Sequence, residues 1–266
     1  MGAGSKNIIK LGLVLTVVGA LVGLLLWFTY PVSTQATNYI VNRGNNYIYD
    51  EILGSFSNID FNLRSGIYNI IPSDSFGVFG TSNNPLDIEV IGDTLFITER
   101  LQLTSSIGVI NIQNDQALDI RVPHYLENAN IELTSGQINI GLIDIEDSSI
   151  HLTSGRLIIN DMTGRNIDIS MTSGSMSLNA MKGEDVHLSI TSGNVSWNEA
   201  VFNNADFRAT SGRMNINVDD YRGNFSYTTH SSSGRIRING DASLGQEQRG
   251  HINARITSGD ININFR

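Results

Sequence analysis

Cysteine is absent from the chain, and proline occurs only four times in its 266 residues. Without thiols there is no disulfide, no zinc–thiolate site and no thiol catalysis. Basic residues are scarce: 17 Lys and Arg stand against 26 Asp and Glu, a formal net charge of −9. No strongly basic footprint exists, which excludes nucleic acid as a partner. The deficit is uneven. Residues 37–200 carry 20 acidic against 7 basic residues, whereas residues 201–266 carry 6 against 8. Long apolar runs are missing too, except for one near the N-terminus.

That run spans residues 11–30, broken only by Thr16 and Thr29. Its length of about 20 residues matches a transmembrane helix. Lys6 and Lys10 precede it, so the positive-inside rule places residues 1–10 in the cytoplasm and the remainder outside. Trp27, Phe28 and Tyr30 mark the outer interface, and Pro31 stops the helix. A cleaved signal peptide is the rival reading, but its apolar segment is usually shorter, about 7 to 15 residues. Gly19 and Gly23 form a GxxxG pair of the kind that packs membrane helices together. Residues 31–44 read as a linker.

What the chain has in abundance is a repeat. Thr-Ser-Gly ends at Gly136, Gly155, Gly174, Gly193 and Gly212, then recurs as Ser-Ser-Gly at Gly234 and Thr-Ser-Gly at Gly259. A fixed period near 20 residues marks a solenoid, whose coils cannot bury their apolar side chains alone. Two and four residues after each glycine the chain is apolar, as at Ile138 and Ile140 or Met176 and Leu178. Seven, five and three residues before it the chain is mostly apolar again, as at Ile167, Ile169 and Met171. Alternation with period two means strand. The expected fold is therefore all-β, a single-stranded parallel β-helix of coils about 19 residues long, preceded by one transmembrane helix. Residues 45–130 hold irregular first coils and residues 131–266 the regular ones. Within the irregular part, Ile88 to Ile97 reads as a hairpin or a bent strand pair split by Gly92-Asp93, and Gly66 and Gly108 fit the repeat frame.

Five residues after the glycines stands a second corner mark: Asn160, Asn179, Asn198, Asn217, Asn239 and Asn264. Stacked coils would align these amides in a hydrogen-bonded ladder. Asn also tolerates left-handed backbone.

Chemistry is harder to find. The five histidines, His124, His151, His187, His230 and His251, fall in different coils without metal-ligand spacing. No nucleophile elbow or EF-hand loop is present, and no cofactor is implied. Acid pairs occur at Glu146-Asp147, Glu184-Asp185 and Asp219-Asp220, read as loop charge. Arg213 and Arg235 follow their repeat glycines and are expected to be neighbours on adjacent coils, with Arg237 on the same face. Three guanidinium groups there could grip phosphate or carboxylate. The same residues serve equally as a solvated face partly neutralised by Asp260. The coil at Gly259 is expected to be the open end of the solenoid, exposing strand edges for a second copy or another envelope protein.

The segments Leu133-Thr-Ser-Gly-Gln-Ile-Asn-Ile140 and Ile256-Thr-Ser-Gly-Asp-Ile-Asn-Ile263 resemble the bacterial putative-adhesin domain family. The strand Leu118-Asp-Ile-Arg-Val-Pro123 is similar to that family as well. The resemblance covers residues 45–266. It implies a β-helical cell-surface domain of Gram-positive envelope-stress operons with no known enzyme activity and no transferable functional residues. Two functions follow: a membrane-anchored, non-enzymatic binding, adhesion or envelope-stress accessory module, or a polysaccharide-active enzyme using acidic residues on the solenoid face.

Overall fold

The computed structural model describes residues 40–42, 46–100, 117–242 and 248–266. The membrane segment 11–30, with Gly19 and Gly23, and the repeat position Gly108 lie outside them. Among the described residues no helix is long and apolar enough to cross a membrane.

The described chain is almost entirely strand. β1 (Ile40–Asn42), β2 (Asn46–Ile52) and β4 (Gly77–Ser82) form antiparallel pairs at one end. β5 (Leu86–Ile91) and β6 (Thr94–Glu99) make a hairpin, one of the two expected arrangements, turning at Gly92 with φ of 60°. Parallel coiling involves β3 (Asn58–Pro72), β6, β7 (Ala117–Val122), β8 (Tyr125–Val218), β9 (Phe225–Ser231), β10 (Arg235–Asn239) and β11 (Gly250–Phe265). The apolar stretches before and after each corner glycine run together as one strand. β8 remains extended through 94 residues, because its corners bend the chain without breaking the inter-coil ladder.

The Thr-Ser-Gly corner explains the glycine chemically. Gly136, Gly155, Gly174 and Gly193 have φ between 130° and 134°. A Cβ on Gly155, Gly174 or Gly193 would lie 2.0 Å from the carbonyl oxygen of the preceding corner glycine. Backbones meet too closely here for any side chain.

Inside, apolar columns stack coil on coil. Ile138, Leu157, Met176, Val195, Met214 and Ile261 form one such column, all buried. Toward the β9–β11 end the core turns aromatic. Phe202 contacts Trp197, Phe207 and Phe225 at centroid distances of 5.6, 5.8 and 5.5 Å, and Phe225 contacts Phe265 at 5.6 Å. Tyr227 closes the cluster; burial pushes its phenol up to about 12, and its hydroxyl donates to the Arg222 carbonyl at 2.6 Å.

The order of coils departs from the order of the sequence at both ends. β11, not the coil that follows β8, stacks on the last coil of β8, pairing Ile252 with Ala205 and Gly259 with Gly212. β9 and β10 then stack on the far side of β11. The coil at Gly259, expected at the open end, thus lies between two others. At the opposite end β3 stacks directly on the first coil of β8, pairing Asn58 with Asn128 and Gly66 with Gly136. The later strands β6 and β7 stack outside β3.

The Gly66 corner is closed by a carboxylate. Glu99, 1 % exposed, accepts from the backbone N–H groups of Arg64 and Ser65 at 2.5 and 2.9 Å. Its carboxylate also accepts from the Tyr68 hydroxyl at 2.8 Å, the Asn84 amide at 2.5 Å and the Ser65 hydroxyl at 3.2 Å. Burial, first, and the neighbouring Glu99 charge push the Tyr68 phenol well above its ordinary range.

Candidate binding groove

Seven residues before each corner glycine the side chain points into the core. The residues on either side of that position must therefore point outward. In stacked coils they form two columns. The first is Asn58, Asn128, Asp147, Asn166, Asp185, Asn204 and His251; the second is Asp60, Asn130, Ser149, Asp168, His187, Asp206 and Asn253. Thr94 and Phe96 extend the columns by one coil, paired with Asn58 and Asp60. All of these residues line one open groove of about 1080 Å³. Eight coils at about 4.8 Å spacing give it a length of roughly 34 Å.

The first column is a hydrogen-bonded ladder. Asn128 donates to Asn58 at 2.8 Å, Asn166 to Asp147 at 2.6 Å and Asn204 to Asp185 at 2.8 Å. Asn204 in turn accepts the backbone N–H of His251 at 3.1 Å. The second column is looser: Asn130 reaches Asp60 at 3.4 Å, and His187 stands 3.7 Å from Asp206.

Five aspartates line the groove, and no lysine or arginine does. Two arginines lie at its rim. Arg165 pairs with Glu146 at 3.0 Å and Asp147 at 3.2 Å. Arg208 grips Asp206 through two nitrogens, at 2.6 and 3.2 Å. The hydrogen bond to its aspartate, more than the surrounding charge, raises each guanidinium above its usual range. Among the described residues no set of three His, Asp or Glu side chains is grouped to hold a metal ion.

Asn217 donates to Asn198 at 3.1 Å, Asn264 to Asn217 at 3.0 Å and Asn239 to Asn264 at 2.8 Å. Asn264 also reaches Asn215 at 3.2 Å. No side-chain bond among the described residues joins Asn160 or Asn179 to this ladder, and none of these six asparagines has positive φ. The column is an amide ladder at one end of the solenoid rather than a run of left-handed corners.

The arginine cluster is rearranged by the coil order. Arg213 and Arg235 are not neighbours; Asp260 sits between them and pairs with both in register. Arg237 bonds Asp260 at 3.5 Å and Asn262 at 3.1 Å. Of the acid pairs, Asp147 and Asp185 lie on strand facing the groove rather than in loops. Asp220 is held by Arg249 at 2.7 Å, and Asp219 pairs with Arg266. Two histidines, His187 and His251, line the groove two coils apart and in different columns; His151 bonds Ser170 at 2.8 Å. The groove is readable in the sequence as the 19-residue alternation Asn128, Asp147, Asn166, Asp185, Asn204, a signal that pairs of adjacent acids do not show.

Stacked parallel coils with a repeated corner and one polar face define an all-β solenoid domain. The chain belongs to the Toastrack DUF4097 family, which matches residues 58–264, all but the last residue of the parallel coiling. Among solved structures it is similar to a putative adhesin from Bacteroides fragilis, with a TM-score of 0.51 and 14 % identity over 87 % of this chain and 98 % of that one. It is also similar to a putative adhesin from Parabacteroides merdae (TM-score 0.44, 13 % identity, 85 % and 98 % covered). A third is a putative cell adhesion protein from Clostridium sporogenes (TM-score 0.39, 13 % identity, 80 % and 93 % covered). No curated protein matches the chain.

Proposed function

We propose that this protein is a non-enzymatic binding module displayed outside the cytoplasmic membrane. Residues 11–30 anchor it as a single-pass helix, with the N-terminus in the cytoplasm. The solenoid engages an elongated ligand or an envelope partner, as an adhesion or envelope-stress accessory protein does. One observation carries this reading: polar side chains repeat coil after coil along a single groove, without converging on a point. Such a surface suits recognition along an extended partner. The description of the similar Bacteroides fragilis protein as a putative adhesin agrees with it.

The absence of cysteine makes the test simple, because any introduced thiol is unique. Ser149→Cys places one in the groove and Ser154→Cys places one on an exposed corner outside it. A membrane-impermeant maleimide applied to intact cells should label Ser154→Cys fully and Ser149→Cys more slowly than in the purified protein. Labelling of both only after lysis would end the surface assignment. Turnover of cell-wall glycan by the purified full chain, lost in Asp168→Asn, would replace binding by catalysis.

A further inference from the structure

We propose that the solenoid assembles end to end with copies of itself, the free edge of β10 in one copy pairing antiparallel with the free edge of β5 in the next. This contact lies outside the groove and goes beyond the binding-module reading.

Among the described strands β10 has one partner, β11, and β5 has one partner, β6. An edge strand offers a row of unpaired N–H and C=O groups to another chain. The end coil formed by β9 and β10 is finished on one half only. Where the coil beneath turns Ala254 and Ile256 to the core, β9 has Thr229 and Ser231, both exposed. β10 makes no such exchange. Its inward residues are Ile236 and Ile238, which lie over Ile261 and Ile263. The lower pair is fully buried, whereas Ile236 and Ile238 are half-buried because no described coil covers them. A backbone edge and apolar side chains are thus left uncovered together at β10.

β5 is the complementary edge. β10 reads Arg235-Ile-Arg-Ile-Asn239 with its arginines outward; β5 reads Leu86-Asp-Ile-Glu-Val-Ile91 with its acids outward and Leu86 and Ile88 inward. β10 runs parallel to β11, β8, β3 and β6, while β5 runs against β6. Two copies sharing an axis and the same sense therefore bring these edges together antiparallel. One register sets Ile236 opposite Ile88, Ile238 opposite Leu86, Arg235 opposite Glu89 and Arg237 opposite Asp87. Apolar and opposite-charge pairs are the cross-strand pairs that stabilise a sheet. A shift of one residue turns every side chain to the wrong face. A shift of two sets Arg237 opposite Pro85, or Arg235 opposite Ile91, and loses a charge pair.

Arg237 already shares Asp260, and Asp87 pairs with Arg100. The deciding pair is Arg235 with Glu89. Both are exposed, and among the described residues no hydrogen bond or ion pair engages either side chain. The chain makes the same match internally, where Asp260 of β11 stands in register between Arg213 and Arg235. The ends also differ in charge at large. Residues 37–200, which include β5, carry 20 acidic against 7 basic residues, and residues 201–266, which include β10, carry 6 against 8. One copy's β10 end therefore draws another's β5 end. The contact joins two different surfaces, so it repeats without closing into a two-fold dimer. Five residues make a small junction, and assembly is weak when dilute.

Sedimentation velocity of the full chain in detergent micelles, over a concentration series, tests the junction. The parent should pass from single copies to multimers as concentration rises. Arg235→Glu sets two acids face to face and Glu89→Arg sets two arginines face to face, so each variant alone should assemble about tenfold more weakly. Mixed in equal amounts, the variants restore an opposite-charge pair at every junction, and the mixture should assemble like the parent. Packing of membrane helices gives no such pattern, because neither substitution touches residues 11–30. Both positions are exposed, and an unchanged melting temperature will show that each variant is folded. A parent that stays single at every concentration overturns the inference. So do variants that assemble like the parent, or a mixture that stays apart. Maleimide labelling of Ser154→Cys on intact cells reads the surface assignment separately, so either reading can fail while the other stands.

Discussion

Replacing Gly174 by alanine should cripple the solenoid through a single methyl group. Gly174 occupies the middle of the corner stack, with φ of 130°. The added Cβ would lie 2.0 Å from the Gly155 carbonyl oxygen and 2.9 Å from its carbon, both backbone atoms. Relief requires the two coils to part by about 1 Å, a fifth of the roughly 4.8 Å between strands. Backbone strain at this φ costs about 1–3 kcal/mol. Overpacking of a close contact costs about 1–3 kcal/mol more. The sum, about 2–6 kcal/mol, is a large part of the 5–15 kcal/mol typical of a domain. At about 2–4 °C per kcal/mol for a domain this size, melting should fall by roughly 10 °C. Two other glycines serve as controls. Gly92 has φ of 60° but open space around it, so Gly92→Ala should cost only about 1–2 kcal/mol. Gly54 has open space and no positive φ, and Gly54→Ala should be neutral or stabilise by about 0.4–1 kcal/mol. Thermal melts of the full chain followed by circular dichroism would rank the three. Gly174→Ala melting within about 1 °C of Gly54→Ala would falsify the close-approach account of the corner.

Other perturbations read different parts of the fold. Glu99→Ala strips five hydrogen bonds from the Gly66 corner and leaves the buried Tyr68 hydroxyl with only the Ser65 carbonyl as partner. It should lower stability by about 3 kcal/mol in urea titrations, and a loss below 0.5 kcal/mol would contradict the closing role of Glu99. Asn264→Ala removes the hub of the amide ladder and should cost about 1–2 kcal/mol. Asn160→Ala, outside the ladder, should cost under about 0.5 kcal/mol; equal effects would count against the ladder. Glu51 is 7 % exposed with one carboxylate oxygen unpartnered, and burial raises its pKa above 4.5. A raised folded pKa contributes stability that is present below the unfolded value and lost as pH rises through the folded one. Glu51→Gln should therefore melt higher than the parent at pH 7, with the gap closing near pH 4; a gap independent of pH would refute the desolvation argument.

The coil was legible because it is local. Corner glycines at 19-residue intervals and alternating apolar residues report on one turn at a time, and Ile138, Met176 and Ile261 occupy the core as their spacing requires. The stacking order was not legible, because corners of identical sequence can pair with any other. Gly212 could receive Gly234 or Gly259 equally well. Charge helps to separate the two. Sequential stacking would set Arg213 against Arg235, whereas the observed order interposes Asp260. The same order brings Arg255 beside Arg208, a cost offset by Asp206, which holds Arg208. Aromatic packing separates them further, since Phe265 of β11 meets Phe225 and Tyr227 of β9. The groove was half legible. Its residues stand in a visible column, but the opening of that face to solvent depends on how all eight coils line up.

The reversed order at the two ends separates length from closure. Each end is finished by strands that bracket one another, β3 beneath β6 and β7, and β11 beneath β9 and β10. The turns of β8 between them touch only their neighbours. A duplicated 19-residue unit in β8 would leave both brackets unaltered and move them about 4.8 Å further apart. Unequal recombination between such repeats can thus lengthen or shorten the solenoid in fixed increments, and selection can adjust the length of its polar face without redesigning how it ends.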